Sequence, residues 1–221
     1  MIKYCIFDLD GTLLDTLPTI KYHLNATLVK YGLRPVGDCE TKRYIGDGAY
    51  QLIYRAFSEQ GICDEEAIAE ALTDYKARYD AAPLDLTSVY DGICELLRGL
   101  KEKEIKVLVL SNKPDLAARM VVGHFFGDAF TLVRGGLDGV PLKPDPTSAL
   151  DMLRQLGAIP SECAFVGDTA VDIQTGKNMG AALTVGVLWG FREREELVAA
   201  GADTVTASVP EILLAIGGCR D

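Results

Sequence analysis

Five short runs of aliphatic, aromatic and β-branched residues punctuate the chain: Ile2–Phe7, Ile105–Leu110, Phe130–Val133, Cys163–Val166 and Leu183–Leu188. Between them, apolar positions recur every three or four residues, as in Ile93, Leu96, Leu97, Leu100 and in Leu150, Leu153, Leu156. Uninterrupted apolar runs alternating with amphipathic segments predict βαβ units around a buried parallel sheet, a doubly wound α/β fold. The first two runs lie far further apart than one crossover helix requires, so the gap must hold an inserted domain. Its periodicity is helical: Leu17, Ile20, Leu24, Leu28; then Ala49, Leu52, Ile53, Ala56, Phe57; then Ile68, Ala71, Leu72, Tyr75, Tyr79. A helical bundle over 16–82 is therefore expected, with 1–15 and 83–221 forming the α/β core.

In an open α/β sheet, ligands bind beyond the carboxyl ends of the strands. The residues that follow the apolar runs are Asp8 and Asp10, then Ser111, Asn112 and Lys113, then Gly167, Asp168 and, a helical turn on, Asp172. Lys143 sits in PLKPDP, ahead of another expected helix. Asp8 and Asp10 share a strand face, and Gly11 lets the backbone turn away from them. Each residue alone suits a cap or a solvated loop, but the topology brings all of these segments to one rim. A calcium loop of the D-x-D-x-D-G type is excluded, because Thr12 breaks the spacing and Thr19 stands where the bidentate glutamate belongs.

Four clustered carboxylates repel one another unless cations offset them. Mg²⁺, a hard ion that takes oxygen ligands and keeps waters, together with the Lys143 ammonium would supply about three positive charges. The remaining repulsion is expected to keep one carboxyl protonated, and Asp10 is the natural candidate for a proton donor. Asp8 is then left to act as a nucleophile.

Composition narrows the setting. The chain has 221 residues, 48% hydrophobic and 24% charged, ordinary for a globular protein. A net charge of −10 argues against a nucleic-acid partner. No apolar run reaches the length of a membrane span, and the amino terminus runs at once into charged residues, so no membrane association and a cytoplasmic location are expected. The six cysteines, Cys5, Cys39, Cys63, Cys94, Cys163 and Cys219, form no C-x-x-C pair and read as free thiols. Neither GDGAYQ nor the TGKN around Lys177 completes a nucleotide-binding glycine motif. Trp189 and Phe191 read as packing residues.

The segments DLDGTLLD at 8–15, SNK at 111–113, Lys143 in KPDP and GDTAVD at 167–172 resemble, in order and spacing, the four motifs of the haloacid dehalogenase-like phosphatase superfamily. The resemblance implies that Asp8 attacks phosphorus to form an aspartyl-phosphate, and that Asp10 protonates the leaving oxygen and then activates water. It implies that Ser111 holds a phosphoryl oxygen, and that Lys143 neutralises charge between Asp8 and phosphate. Asp8, the Asp10 carbonyl and Asp168 would hold Mg²⁺, supported by Asp172, with Thr12, Asn112 and Lys113 also facing substrate. The insertion resembles the superfamily's helical cap.

The presence of Asp10 argues against carbon–halogen chemistry, and DGT in place of DGV favours a phosphatase over a sugar phosphomutase. A non-enzymatic binding module is disfavoured by the intact motifs. Within the superfamily, YIGDG at 44–48, SNKP, FVGDTAVDIQTGKNMG and VLWGFR are similar to the phosphoglycolate phosphatase group, although KPDP departs from its usual KPHP. The resemblance implies a small phosphorylated metabolite, 2-phosphoglycolate above pyrophosphate, sugar phosphates or nucleotides. Arg43, Lys42, Arg55 and the turn at Gly46 and Gly48 would read it. A monomer or homodimer is expected.

Overall fold

The computed structural model describes residues 1–217, so Cys219 lies outside the described residues. In chain order, β1 (Tyr4–Phe7) and β2 (Leu14–Asp15) precede four helices: α1 (Leu17–Lys30), α2 (Asp38–Tyr44), α3 (Gly48–Ser58) and α4 (Glu65–Ala81). The chain continues through β3 (Ser88–Val89), α5 (Ile93–Glu102), β4 (Lys106–Pro114), α6 (Asp115–Phe126), β5 (Leu132–Gly136) and α7 (Thr147–Leu156). It ends with β6 (Cys163–Gly167), α8 (Ala170–Met179), β7 (Leu183–Val187), α9 (Arg194–Ala199), β8 (Thr204–Thr206) and α10 (Val209–Gly217). Two compact units result: Met1–Asp15 with Val89–Asp221, and Thr16–Ser88.

The α/β unit carries a six-stranded sheet of order β5-β4-β1-β6-β7-β8 in which every pairing is parallel. The doubly wound expectation is thus met, and all five foreseen strands are present. β8 is an addition: Thr-Val-Thr is too short and too polar to stand out as an apolar run. The strands are buried because helices cover both faces, which is why their sequences do not alternate. Ile6, Leu108, Leu110 and Phe165 from the strands close against Ala149, Met152 and Leu153 of α7 and Met179 of α8. Each large side chain so buried contributes about 1.5–3 kcal/mol.

The helical unit buries the foreseen stripes: Leu24 and Leu28 of α1, Leu52, Ile53, Ala56 and Phe57 of α3, and Ile68, Ala71, Tyr75 and Tyr79 of α4. The short helix α2 left no apolar period, since only Thr41 and Tyr44 of its seven residues are buried. His23 is buried beside Tyr79 and its Nε2 lies 3.2 Å from the Ala82 carbonyl, a packing role. Cys5, Cys39, Cys63, Cys94 and Cys163 are free thiols. Among the described residues, no helix is long and apolar enough to cross a membrane.

Helix α8 lies so close to the sheet that a Cβ at Gly176 would come within 2.5 Å of Thr184 Cγ2 and 2.9 Å of Phe165 Cβ. Alanine at this position is expected to destabilise the fold by about 1–3 kcal/mol through overpacking, against the ~1 kcal/mol it gains in a helix without such neighbours. A fall in the urea midpoint at unchanged slope checks this; a rise would contradict the close packing.

Candidate active site

The parallel register sets β1 between β4 and β6, so the carboxyl ends of these three strands deliver their polar residues side by side. The Asp8 N–H donates to the Val166 carbonyl at 2.9 Å, extending the β1–β6 ladder to the first aspartate. Gly11 has φ +87°, the left-handed turn that sends the chain away from the site.

Asp8, Asp168 and Asp172 are all buried, and one carboxylate oxygen from each lies within 4.8 Å of the others. Lys143 is buried among them, its Nζ 2.8 Å from Asp8 Oδ1 and 2.6 Å from Asp172 Oδ1. Asp172 is fully committed: its other oxygen accepts from the Thr169 N–H at 3.0 Å and the Thr169 hydroxyl at 2.7 Å, capping α8. Asp168 accepts from the Thr12 hydroxyl at 3.0 Å and the Phe191 N–H at 2.8 Å. Among the described residues, the Lys143 ammonium is the one side-chain partner of the buried Asp8 Oδ1, whereas Asp172 and Asp168 are engaged by further donors.

Burial, and then the nearby Asp172 charge, push the Asp8 carboxyl up to about 7, although Lys143 pulls it down. Asp168 is raised well above the carboxylate range by burial, Asp172 and Asp8. Burial lowers the Lys143 ammonium, but Asp172 and Asp8 together outweigh it and hold the lysine charged. This all-oxygen donor set, three buried carboxylates against one ammonium, fits a hard divalent cation such as Mg²⁺. Asp8 and Asp168 would hold it, and Asp172 would act through Lys143 and Thr169.

Asp10 lies outside that trio. Its two carboxylate oxygens are 3.0 and 3.2 Å from Lys113 Nζ. Lys113 thus brings a second buried ammonium to the rim, a partner for Asp10 that the expectation of a neutral carboxyl there did not include. Ser111 Oγ accepts from the Lys113 N–H at 3.2 Å and retains its own proton to donate. Asn112 exchanges two hydrogen bonds with the Lys143 backbone, at 3.1 and 2.8 Å, tying the two loops together.

Several contributors escaped the sequence reading. Thr169 caps α8; its T-x-x-D spacing was available as a signal. Trp189 Nε1 donates to the Thr12 carbonyl at 3.0 Å, so this tryptophan braces the turn after Asp10 as well as packing. At Gly190 a Cβ would fall 2.3 Å from Asp168 Oδ2, so only glycine leaves room for that carboxylate. Long-range contacts of this kind leave no local pattern.

The expected specificity residues lie in the helical unit. Arg43 pairs with Glu59 at 3.0 Å, and Arg55 pairs with Asp47 at 2.5 Å while donating to the Tyr44 carbonyl at 3.0 Å. The turn between α2 and α3 is thus braced within its own unit, and Gly46 and Gly48 take φ +124° and +87°.

Fold and site together define a hydrolase in which a buried aspartate and lysine stand within an acidic cluster that could hold a cation. The haloacid dehalogenase-like hydrolase family matches residues 5–185, and the chain belongs to that family. By its relatives it is a phosphoric monoester hydrolase. It is 36% identical over 208 residues to a phosphoglycolate phosphatase of Rhodospirillum rubrum, covering 91% of this chain and 86% of that protein. It is 30% identical to a phosphoglycolate phosphatase of Pseudomonas putida, covering 99% and 80%. A crystal structure from Lactobacillus delbrueckii subsp. bulgaricus, of a protein provisionally assigned as a phosphoglycolate phosphatase, is 28% identical with a TM-score of 0.91 over 97% of this chain and 98% of that one.

A raised Asp8 pKa has a sign that can be tested without metal. The folded value, about 7, exceeds the ordinary 3.8, so the folded state binds this proton more tightly and gains stability as pH falls through 7. Above pH 7 the buried charge is present at full cost. Asp8→Asn should therefore raise the melting temperature in chelator at pH 8 by on the order of 5 °C, with the difference shrinking toward pH 5. Thermal unfolding across that range checks it; a less stable variant at pH 8 would overturn it.

Proposed function

We propose that the protein is a Mg²⁺-dependent phosphatase that hydrolyses a small phosphomonoester through an aspartyl-phosphate on Asp8, with 2-phosphoglycolate as substrate. The observation that carries this reading is the buried Asp8 carboxylate, set 2.8 Å from a charged lysine within the acidic trio and held, among the described residues, by no other side-chain donor. A carboxylate kept reactive beside a cation, and not spent on capping or bracing bonds, is the group suited to attack phosphorus.

In this reading Asp8 attacks the phosphorus while the ester P–O bond breaks, and the leaving oxygen takes a proton from Asp10. Water then attacks phosphorus, Asp10 removes its proton, the acyl-phosphate bond breaks, and Asp8 is restored as a carboxylate. Lys143 neutralises charge on the oxygens between Asp8 and phosphorus, and Ser111 donates its hydroxyl to a phosphoryl oxygen. Magnesium, when bound, supplies positive charge that screens the phosphate from Asp8 and Asp168. The helical unit serves as a cap. Preference for phosphoglycolate is supported by the names of relatives at 30–36% identity that span most of this chain.

Purified enzyme with Mg²⁺ is expected to release phosphate from 2-phosphoglycolate with a higher kcat/KM than from pyrophosphate, glucose phosphates or nucleotides. Asp8→Asn should lose turnover while remaining folded. Lys143→Ala should lose on the order of 10² in kcat, the scale of one preorganised electrostatic group. Substantial activity in Asp8→Asn would defeat the covalent mechanism, and a low rank for phosphoglycolate would defeat the substrate alone.

A further inference from the structure

The catalytic scheme assigns no task to Lys113, yet this lysine is among the most deliberately held groups in the α/β unit. Its side chain is 5% exposed and its Nζ contacts both oxygens of Asp10, whose side chain is 15% exposed. Asp10 follows β1 and Lys113 lies in its neighbour β4, 103 positions apart in the chain.

The stem of this lysine is fixed as well as its tip. Its N–H donates to Ser111 Oγ, and the preceding residue, Asn112, is bonded twice to the Lys143 backbone. On the other side, β5 runs against the same segment: a Cβ at Gly135 would fall 2.5 Å from the Lys113 carbonyl and 2.5 Å from Asp115 Cα. The Gly135 N–H donates to Asp115 Oδ1 at 2.8 Å. The ammonium is thus delivered from a backbone gripped on both sides.

An acid–base residue must be aimed within a few tenths of an ångström, and a lone aspartate has a rotatable carboxyl that nothing local fixes. An ammonium against both oxygens, at 3.0 and 3.2 Å, fixes the direction of that carboxyl. The geometry points to Lys113 as a positioning residue for Asp10, holding it as the base that takes a proton from water when the aspartyl-phosphate is hydrolysed. This goes beyond a substrate-binding role for Lys113, and it rests on the covalent reading above.

If Lys113 acts through Asp10, its loss slows the second half-reaction more than the first. An aryl phosphate separates the halves, because p-nitrophenolate departs with little help from an acid. In rapid-mixing experiments with p-nitrophenyl phosphate and Mg²⁺, Lys113→Met is expected to give a burst of p-nitrophenol approaching one equivalent. A steady rate lowered at least tenfold should follow, with phosphoenzyme trapped by acid quench. Asp10→Asn should behave alike, and Lys113→Met should add no further loss in the Asp10→Asn background. Lys113→Gln, which keeps one donor toward Asp10, is expected to show partial accumulation and serves if Lys113→Met does not fold. A raised KM with unchanged kcat, or an undiminished effect of Lys113→Met in the Asp10→Asn background, would overturn the proposal and make Lys113 a substrate ligand. Absence of trapped phosphoenzyme in Asp10→Asn itself would instead defeat the covalent reading.

Discussion

The site depends on one constraint: three carboxylates are buried within 4.8 Å of one another. At an effective dielectric near 20, two unit charges about 4.8 Å apart repel by about 3 kcal/mol, and three such pairs would consume much of a domain's net stability. Lys143 makes the arrangement possible by standing between two of the three, 2.8 Å from Asp8 and 2.6 Å from Asp172. Its own burial would be unfavourable without them. Neither the lysine nor the acids are tolerable alone, so the cluster exists only as a unit, and one ammonium cannot balance it.

That constraint explains the surroundings. Asp172 spends its remaining oxygen on the start of α8, which couples the position of the lysine to a helix packed tightly on β6 and β7 through Gly176. Asp168 is held by Thr12 from one loop and the Phe191 N–H from another, with Gly190 leaving it space. Asp8 has, among the described residues, only the Lys143 ammonium as its side-chain partner. The stability of the whole sheet is what holds this residue in an environment that raises its pKa, a cost accepted where reactivity is needed.

Much of this was legible in the sequence, for identifiable reasons. The sheet showed itself because strands buried on both faces read as continuous apolar runs, and the rim residues because they follow those runs directly. What stayed hidden was short or long-range. β8 and α2 are too brief and too polar to produce a period, and nothing near Trp189 in the chain announces a bond to the Thr12 carbonyl. In the helical unit, Arg43 and Arg55 were expected to read the substrate because YIGDG resembles a substrate loop, and their pairing with Glu59 and Asp47 of that unit left no mark in the local sequence. Charge alone does not reveal its partner.

The most consequential difference concerns Asp10. Counting Asp8, Asp10, Asp168 and Asp172 against Lys143 and one divalent cation leaves one negative charge too many, which is why a neutral Asp10 was expected. Lys113, bonded to both Asp10 oxygens, changes the count: four carboxylates against two ammonium groups leave two negative charges, the charge of one divalent cation. On that formal count one divalent cation would offset the remaining charge, and an arriving phosphate would exceed it.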